Sequence, residues 1–281
     1  EYKFQHYSVN DGLSQNTVMS IMQDHKGFMW FGTWDGLSKF DGTQFTTYKS
    51  YPGDASEITT NRIDFLYEDK FGFIWMQTYD GRFHRFDPRL ETFRSLPDKI
   101  ESFSYSVQRD KFFLEANDGS IWIATKNEGL LCAVSDPSDG SLEIVQYAPQ
   151  TDRPLSHNKV NFLIKDLKGT IWVGTDCGLN AIDSPGHVEQ FFPNVEKETN
   201  RFYAACPTEK SIWFGAEKGI LWRYTYTTGQ FERIFLGTET RVSDIEVVLQ
   251  RYVVITTETA GFFVYDALSS SIRQFSKENN R

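Results

Sequence analysis

Three features of the 281-residue chain predict an all-β fold built from repeated, four-stranded antiparallel units. The first is composition: 24 Phe, 13 Tyr and 7 Trp raise the aromatic share to 16%, and these side chains favour a pleated, half-buried surface over a helix. The second is the apolar runs, which are short, rich in Phe, Ile, Thr and Trp, and cut repeatedly by Gly. The third is a period. Trp30-Phe31-Gly32-Thr33-Trp34-Asp35-Gly36-Leu37 recurs as Trp75-Met76-Gln77-Thr78-Tyr79-Asp80-Gly81-Arg82 and as Trp172-Val173-Gly174-Thr175-Asp176-Cys177-Gly178-Leu179. Worn copies follow Trp122 and Trp213, and a sixth, at Val254-Ile255-Thr256-Thr257, has lost its Trp. The leading positions 30, 75, 122, 172, 213 and 254 are 45, 47, 50, 41 and 41 residues apart.

The turn signals divide the first copy into four strands: 18–23, then 28–33 after Asp24-His25-Lys26-Gly27, then 36–40, then 45–48 after Asp41-Gly42. Asp69-Lys70-Phe71-Gly72 and Asp166-Leu167-Lys168-Gly169 repeat the first turn, and Phe86-Asp87-Pro88 and Ile182-Asp183 repeat the third. Four antiparallel strands in about 40 to 50 residues make a β-propeller blade. Residues 1–281 therefore read as a single β-propeller domain with six repeats. The opening Phe4-Gln5-His6-Tyr7 matches the fourth strand Phe45-Thr46-Thr47-Tyr48, and is expected to be an outer strand completing a seventh blade whose other three strands would follow Arg281. A closed ring of six blades is the alternative.

Position in the repeat predicts role. Trp30, Trp75, Trp122, Trp172 and Trp213 recur at one strand position and are expected to pack between blades. Gly36, Gly81, Gly129, Gly178, Gly219 and Gly261 read as turn positions. Asn16, Asn61, Asn158 and Asn200 are expected to cap strand starts through backbone bonds, and Asp24, Asp69 and Asp166 to be structural.

Charge and motifs exclude several functions. With 29 Lys and Arg against 38 Asp and Glu, the net charge is −9, which argues against general binding of nucleic acid or an anionic membrane. No run of about 18 apolar residues occurs, so no membrane contact is expected, and Glu1-Tyr2-Lys3 has no signal-peptide character. Cys132, Cys177 and Cys206 lack zinc spacing and read as small core side chains. His6, His25, His84, His157 and His187 form no metal-ligand pair, and no nucleophile elbow, HExxH, P-loop or GxGxxG is present. Neither a metal, a cofactor nor a catalytic residue is expected. A propeller glycosidase or lyase would use paired acids, yet Asp35, Asp80, Asp176, Glu217 and Glu258 stand at repeating positions instead of forming a unique constellation.

Loops leading into the first strand, and those joining the second to the third, gather on one propeller face. They carry Trp34, Asp35, Arg62, Tyr79, Asp80, Arg82, His157, Lys159 and Arg201, the candidate ligand-binding set. Aromatic faces suit the apolar side of a sugar ring, and planar charged groups suit its hydroxyls. Trp34 and Tyr79 are ligand contacts or exposed packing. Arg62, Arg82, His84 and Arg85 form a potential basic patch, while Tyr51, Pro52, Tyr203, Tyr224 and Tyr226 would also fit a protein interface.

The run Asp11-Gly12-Leu13-Ser14-Gln15-Asn16-Thr17-Val18, with Asp24-His25-Lys26-Gly27-Phe28-Met29-Trp30-Phe31-Gly32-Thr33-Trp34-Asp35-Gly36-Leu37 and Phe40-Asp41-Gly42, closely resembles the two-component regulator propeller repeat. That repeat builds the periplasmic sensor region of hybrid histidine kinase/response regulator proteins of Bacteroides and their relatives. The resemblance implies a periplasmic sensing propeller, followed in the whole protein by a second propeller, a β-sandwich, a membrane helix and the kinase, and working as a homodimer. It implies an oligosaccharide ligand and control of polysaccharide-utilisation genes. A scaffold propeller that binds only protein is the rival expectation.

Overall fold

The computed structural model describes residues 3–50, 58–96, 111–184, 186–195 and 200–276. Their strands form six four-stranded antiparallel sheets, each with its strands in chain order, like propeller blades. The first sheet comprises Val18–Gln23, Met29–Thr33, Gly36–Phe40 and Phe45–Tyr48, as the turn signals predict to within a residue. The others occupy 63–95, 113–147, 160–191, 202–235 and 242–275. Among the described residues, no helix is long and apolar enough to cross a membrane. Tyr51, Pro52, Gln108 and Arg109 lie outside the described residues.

The chain divides into two compact units, one of Glu1–Arg109, Asp118–Ile121 and Ala133–Ile144, the other of Asp110–Asn117, Trp122–Cys132 and Val145–Arg281. The first holds the first two sheets, the second the last three, and the strands of the third are divided between them.

In each unit a buried Trp joins neighbouring sheets. In the first, Trp30 is fully buried among Leu37, Ile63, Ile74, Met76 and Phe86, with its ring 5.8 Å from Phe86 of the next sheet. In the second, Trp172 packs 5.2 Å from Phe214, and Trp213 packs 5.7 Å from Tyr265. The hairpin Asp sets the ring. Asp24 Oδ1 accepts the backbone N–H of Lys26 and Phe28, while its Oδ2 accepts the indole N–H of Trp30 at 2.8 Å. Asp69 does the same for Trp75 at 2.8 Å, and Asp166 for Trp172 at 3.0 Å.

The turn between second and third strands is closed by a buried Thr. Thr33 Oγ1 donates to the Gly36 carbonyl and accepts the Asp35 N–H, and Thr175 repeats both bonds with Gly178 and Cys177. Gly36 and Gly178 have φ of 115° and 114°, and their N–H groups donate to the carbonyls of Asn61 and Asn200 on the next sheet, at 2.7 and 2.6 Å. Those asparagines clamp backbone as expected: Asn61 bonds both polar groups of Ser50, Asn200 both of Asn194.

Among the described residues no strand pairs with residues 4–7, the segment expected to pair with strands after Arg281, and Tyr7 packs its ring on Phe40 and Phe45. One expectation changes. His84 and Arg85 are buried and add nothing to a basic surface. The strand Phe83–Asp87 is covered on both faces, and the Arg85 guanidinium sits 4.1 Å over Phe73 while donating to Ser135 Oγ and the carbonyls of Gly140 and Ser141.

Asp69→Ala should therefore destabilise the chain by about 3 kcal/mol, since it strands two backbone donors and an indole N–H in a buried setting. Trp172→Ala should cost about 3 to 5 kcal/mol as a large core truncation. Urea unfolding curves measure both, and midpoints equal to wild type would contradict the assignment.

Candidate ligand-binding site

Five inner strands share one irregularity. Ile63 pairs with Thr78 and Phe65 with Gln77, so Asp64 is an extra, bulged residue. Asn161, Tyr203 and Ser243 bulge in the same way, as does Met19. A bulge kinks the strand and re-aims its side chains. Just before each bulge comes an apolar residue, with Ile63, Val160, Phe202 and Val242 fully buried. Before that comes Thr17, Arg62, Lys159, Arg201 or Arg241, whose carbonyl accepts the N–H of Trp34, Tyr79, Asp176, Glu217 or Glu258. The backbone thus places one cation and one aromatic or acid side by side in each of four blades.

In the first unit this produces an aromatic and cationic stack. The Arg62 guanidinium lies 3.9 Å over the Tyr79 ring and 4.9 Å over the Trp34 ring. Its Nε donates to the bulged Asp64 at 3.2 Å, and among the described residues its terminal nitrogens hydrogen-bond nothing. Trp34 is 48% exposed and Tyr79 65%. Around them, Asp35 accepts from Lys49 Nζ at 3.0 Å, and Arg82 Nε lies 3.8 Å from Asp80. Asp80 accepts the hydroxyls of Thr59 at 2.7 Å and Thr78 at 2.6 Å. Burial pulls the Asp80 pKa up, but these hydroxyls, the Arg82 N–H and His84 outweigh it and hold the carboxyl below its ordinary value. Six of the nine candidate residues, Trp34, Asp35, Arg62, Tyr79, Asp80 and Arg82, are thus on one surface.

In the second unit the same positions form ion pairs. Lys159 Nζ is 3.0 Å from Asp176 Oδ2, and the bulged Asn161 donates to Asp176 Oδ1 at 2.8 Å. Arg201 is 4.0 Å from Glu217, which accepts the hydroxyl of the bulged Tyr203 at 2.5 Å. Arg241 is 3.2 Å from Glu258 and 4.7 Å over the Tyr203 ring. Burial raises the Asp176 pKa, and the Asn161 and Lys159 bonds lower it further than burial lifts it. His157 is a turn residue whose Nδ1 accepts the Lys159 N–H at 3.0 Å. Among the described residues no three His, Cys, Asp or Glu side chains are placed to hold a metal.

Residues 12–35 match the family model of the two component regulator propeller. A 58-residue stretch is 45% identical to Histidine kinase P4 of Formosa agariphila, covering 21% of this chain and 4% of that protein. The fold resembles the extracellular domain assigned to a hybrid two component system of B. thetaiotaomicron, at 24% identity and a TM-score of 0.51, over 98% of this chain and 37% of that one. It also resembles virginiamycin B lyase of Staphylococcus aureus, at 14% identity and a TM-score of 0.51, over 92% of this chain and 84% of that one. Both likenesses show the propeller fold alone. The chain spans about a third of the length of the sensor domains it resembles.

Within the matched segment, the structure separates two kinds of residue. Asp24, Trp30 and Thr33 are buried and serve the blade, whereas at its end Trp34 is exposed beside Arg62 and Asp35 is half-buried beside Lys49. The bulged residues Asp64, Asn161 and Tyr203 were absent from the sequence-derived set. Their signal is the triplet of cation, apolar residue and polar residue at 62–64, 159–161 and 201–203.

The depressed Asp80 pKa has a measurable consequence. A carboxyl held below its ordinary value of 3.8 stabilises the fold above that pH, and the contribution is lost as pH falls through the folded value. Asp80→Asn should shrink the acid-induced loss of stability below pH 3.8 relative to wild type, as read by melting temperature against pH.

Proposed function

We propose that the chain is a ligand-sensing propeller from the extracytoplasmic, periplasmic part of a hybrid two-component histidine kinase/response regulator, and that it binds an oligosaccharide. The observation that carries this reading is the exposed stack of Trp34, Arg62 and Tyr79. The outer ring faces suit the apolar side of a sugar, and the terminal Arg62 nitrogens offer donors to its oxygens without first breaking a protein hydrogen bond. Asp35 and Asp80 supply acceptors alongside. The two-component regulator propeller repeat and the histidine kinase relative support the sensor setting. In this reading residues 1–281 act as one propeller, partnered by a second propeller and β-sandwich of the same polypeptide, in a homodimer that controls genes for polysaccharide use.

The reading is of a binding domain and not an enzyme. Asp176, Glu217 and Glu258 each lie beside a cation from their own blade, and although burial raises the Asp176 pKa, its Asn161 and Lys159 bonds hold that carboxyl below its ordinary value.

Calorimetric titration with a panel of neutral and acidic oligosaccharides tests the proposal. The wild type should bind at least one, and Trp34→Ala with Tyr79→Ala should weaken that binding by more than about tenfold, or 1.4 kcal/mol. Both rings are exposed, so the melting temperature should hold. Unchanged affinity in the double variant would remove these residues from the site, and silence across the panel would overturn the oligosaccharide reading.

A further inference from the structure

A cavity of about 220 Å³ opens in the second unit beside the hairpin turn at Asp166, away from the bulged ends of the strands. Its walls combine aromatic rings with carboxylates. Phe191 and Tyr224 lie 5.6 and 5.2 Å from the Trp172 ring and 5.8 Å from each other. Three acids line the same space, Asp166, Asp183 and Glu189. Asp166 is committed, because both its oxygens already accept bonds from the turn and from Trp172. The other two are not. Asp183 accepts only the His187 N–H with its side chain, and among the described residues neither Asp183 nor Glu189 has an ion-pair partner. Glu189 is near enough to Tyr224 to help burial raise the pKa of that hydroxyl.

Two uncompensated carboxylates against aromatic faces make a field that attracts positive charge, since ring faces are themselves negative. The protein already uses this property once. The exposed Lys168 reaches across and holds its ammonium 4.8 Å over the Tyr226 ring, another wall of the cavity. An anion would meet the acids, and because Trp172 is only 3% exposed, the apolar wall open to a ligand is that of Phe191 and Tyr224.

We propose that this cavity is a second binding site, for an organic cation of the alkylammonium class, with Asp183 and Glu189 facing the charge and Phe191 and Tyr224 contacting its carbon atoms. Lys168 is the competing internal cation. The proposal goes beyond the oligosaccharide reading and does not depend on it.

Titration of the whole chain with choline, against its uncharged isostere 3,3-dimethylbutan-1-ol, separates charge recognition from mere filling of an apolar space. Choline should bind, and the isostere should bind at least about tenfold more weakly. Glu189→Gln, an exposed substitution, should weaken choline about two- to fivefold, and Lys168→Met should tighten it. Trp34→Ala with Tyr79→Ala should leave choline binding unchanged. Equal binding of the isostere, no heat with choline up to about 10 mM, or unaltered affinity in Glu189→Gln would each overturn the proposal.

Discussion

The arrangement of the blades depends on a buried carboxylate that has to be satisfied. Asp24, Asp69 and Asp166 are nearly excluded from solvent, where an unpaired charge is costly. Each is satisfied by two backbone N–H groups of its own hairpin and by one indole N–H. The same bonds that neutralise the acid close the turn and fix the plane of the Trp. A large ring held at a set angle then dictates what the next sheet can place against it, as Phe86 does for Trp30 and Phe214 for Trp172. Where the repeat has Ala116 or Pro207 in place of the Asp, other contacts position the ring. Trp122 packs 4.9 Å from Tyr147, and Trp213 takes Arg223 at 5.4 Å on its face, while Thr208 and Ser211 close the turn by bonding each other.

The opposite ends of the same strands are governed by the bulge. A regular ladder alternates side chains between faces, so a cation and a polar residue two apart already share a face, opposite the apolar one between them. The extra residue lets the apolar one between them stay buried while Asp64, Asn161 or Tyr203 turns back onto the charged group of its own blade. Close approach completes the design. A side chain at Gly32 would fall 2.9 Å from Ile63, and one at Gly215 would fall 2.3 Å from Val242, so glycine at these points lets the apolar residue of the next blade seat beside the strand.

Much of this was legible in the sequence, and the failures have causes. The period, the Trp packing, the Asn61 and Asn200 clamps and the strand limits of the first blade were readable because each recurs with fixed spacing. The burial of His84 and Arg85 was not, because period-2 reasoning assumes that one strand face meets water, and the strand Phe83–Asp87 is covered on both. Trp34, Arg62 and Tyr79 were all candidates in the sequence, but their stack was not legible, since Arg62 stands in the next blade from Trp34 and only the fold brings the two within 4.9 Å.

The contrast between the two units bears on where binding free energy can arise. A cation paired with an acid that a bulged polar residue also holds, as Lys159 is with the Asp176 that accepts from Asn161, must give up or share its bond before it can serve a ligand. Arg62 has a different balance. Asp64 and two rings hold its plane, so little rotamer freedom remains to be lost, while among the described residues its terminal nitrogens have no acceptor to surrender. Replacing acids by Trp34 and Tyr79 at the repeat position beside the cation therefore changes that position from a closed ion pair into an open, pre-organised donor. A ligand on this stack would touch two blades at once, and those blades are tied by the bond from Gly36 N–H to the Asn61 carbonyl at 2.7 Å, one residue from Arg62. The stack thus lies over a junction that this backbone bond and the packing of Trp30 on Phe86 hold together.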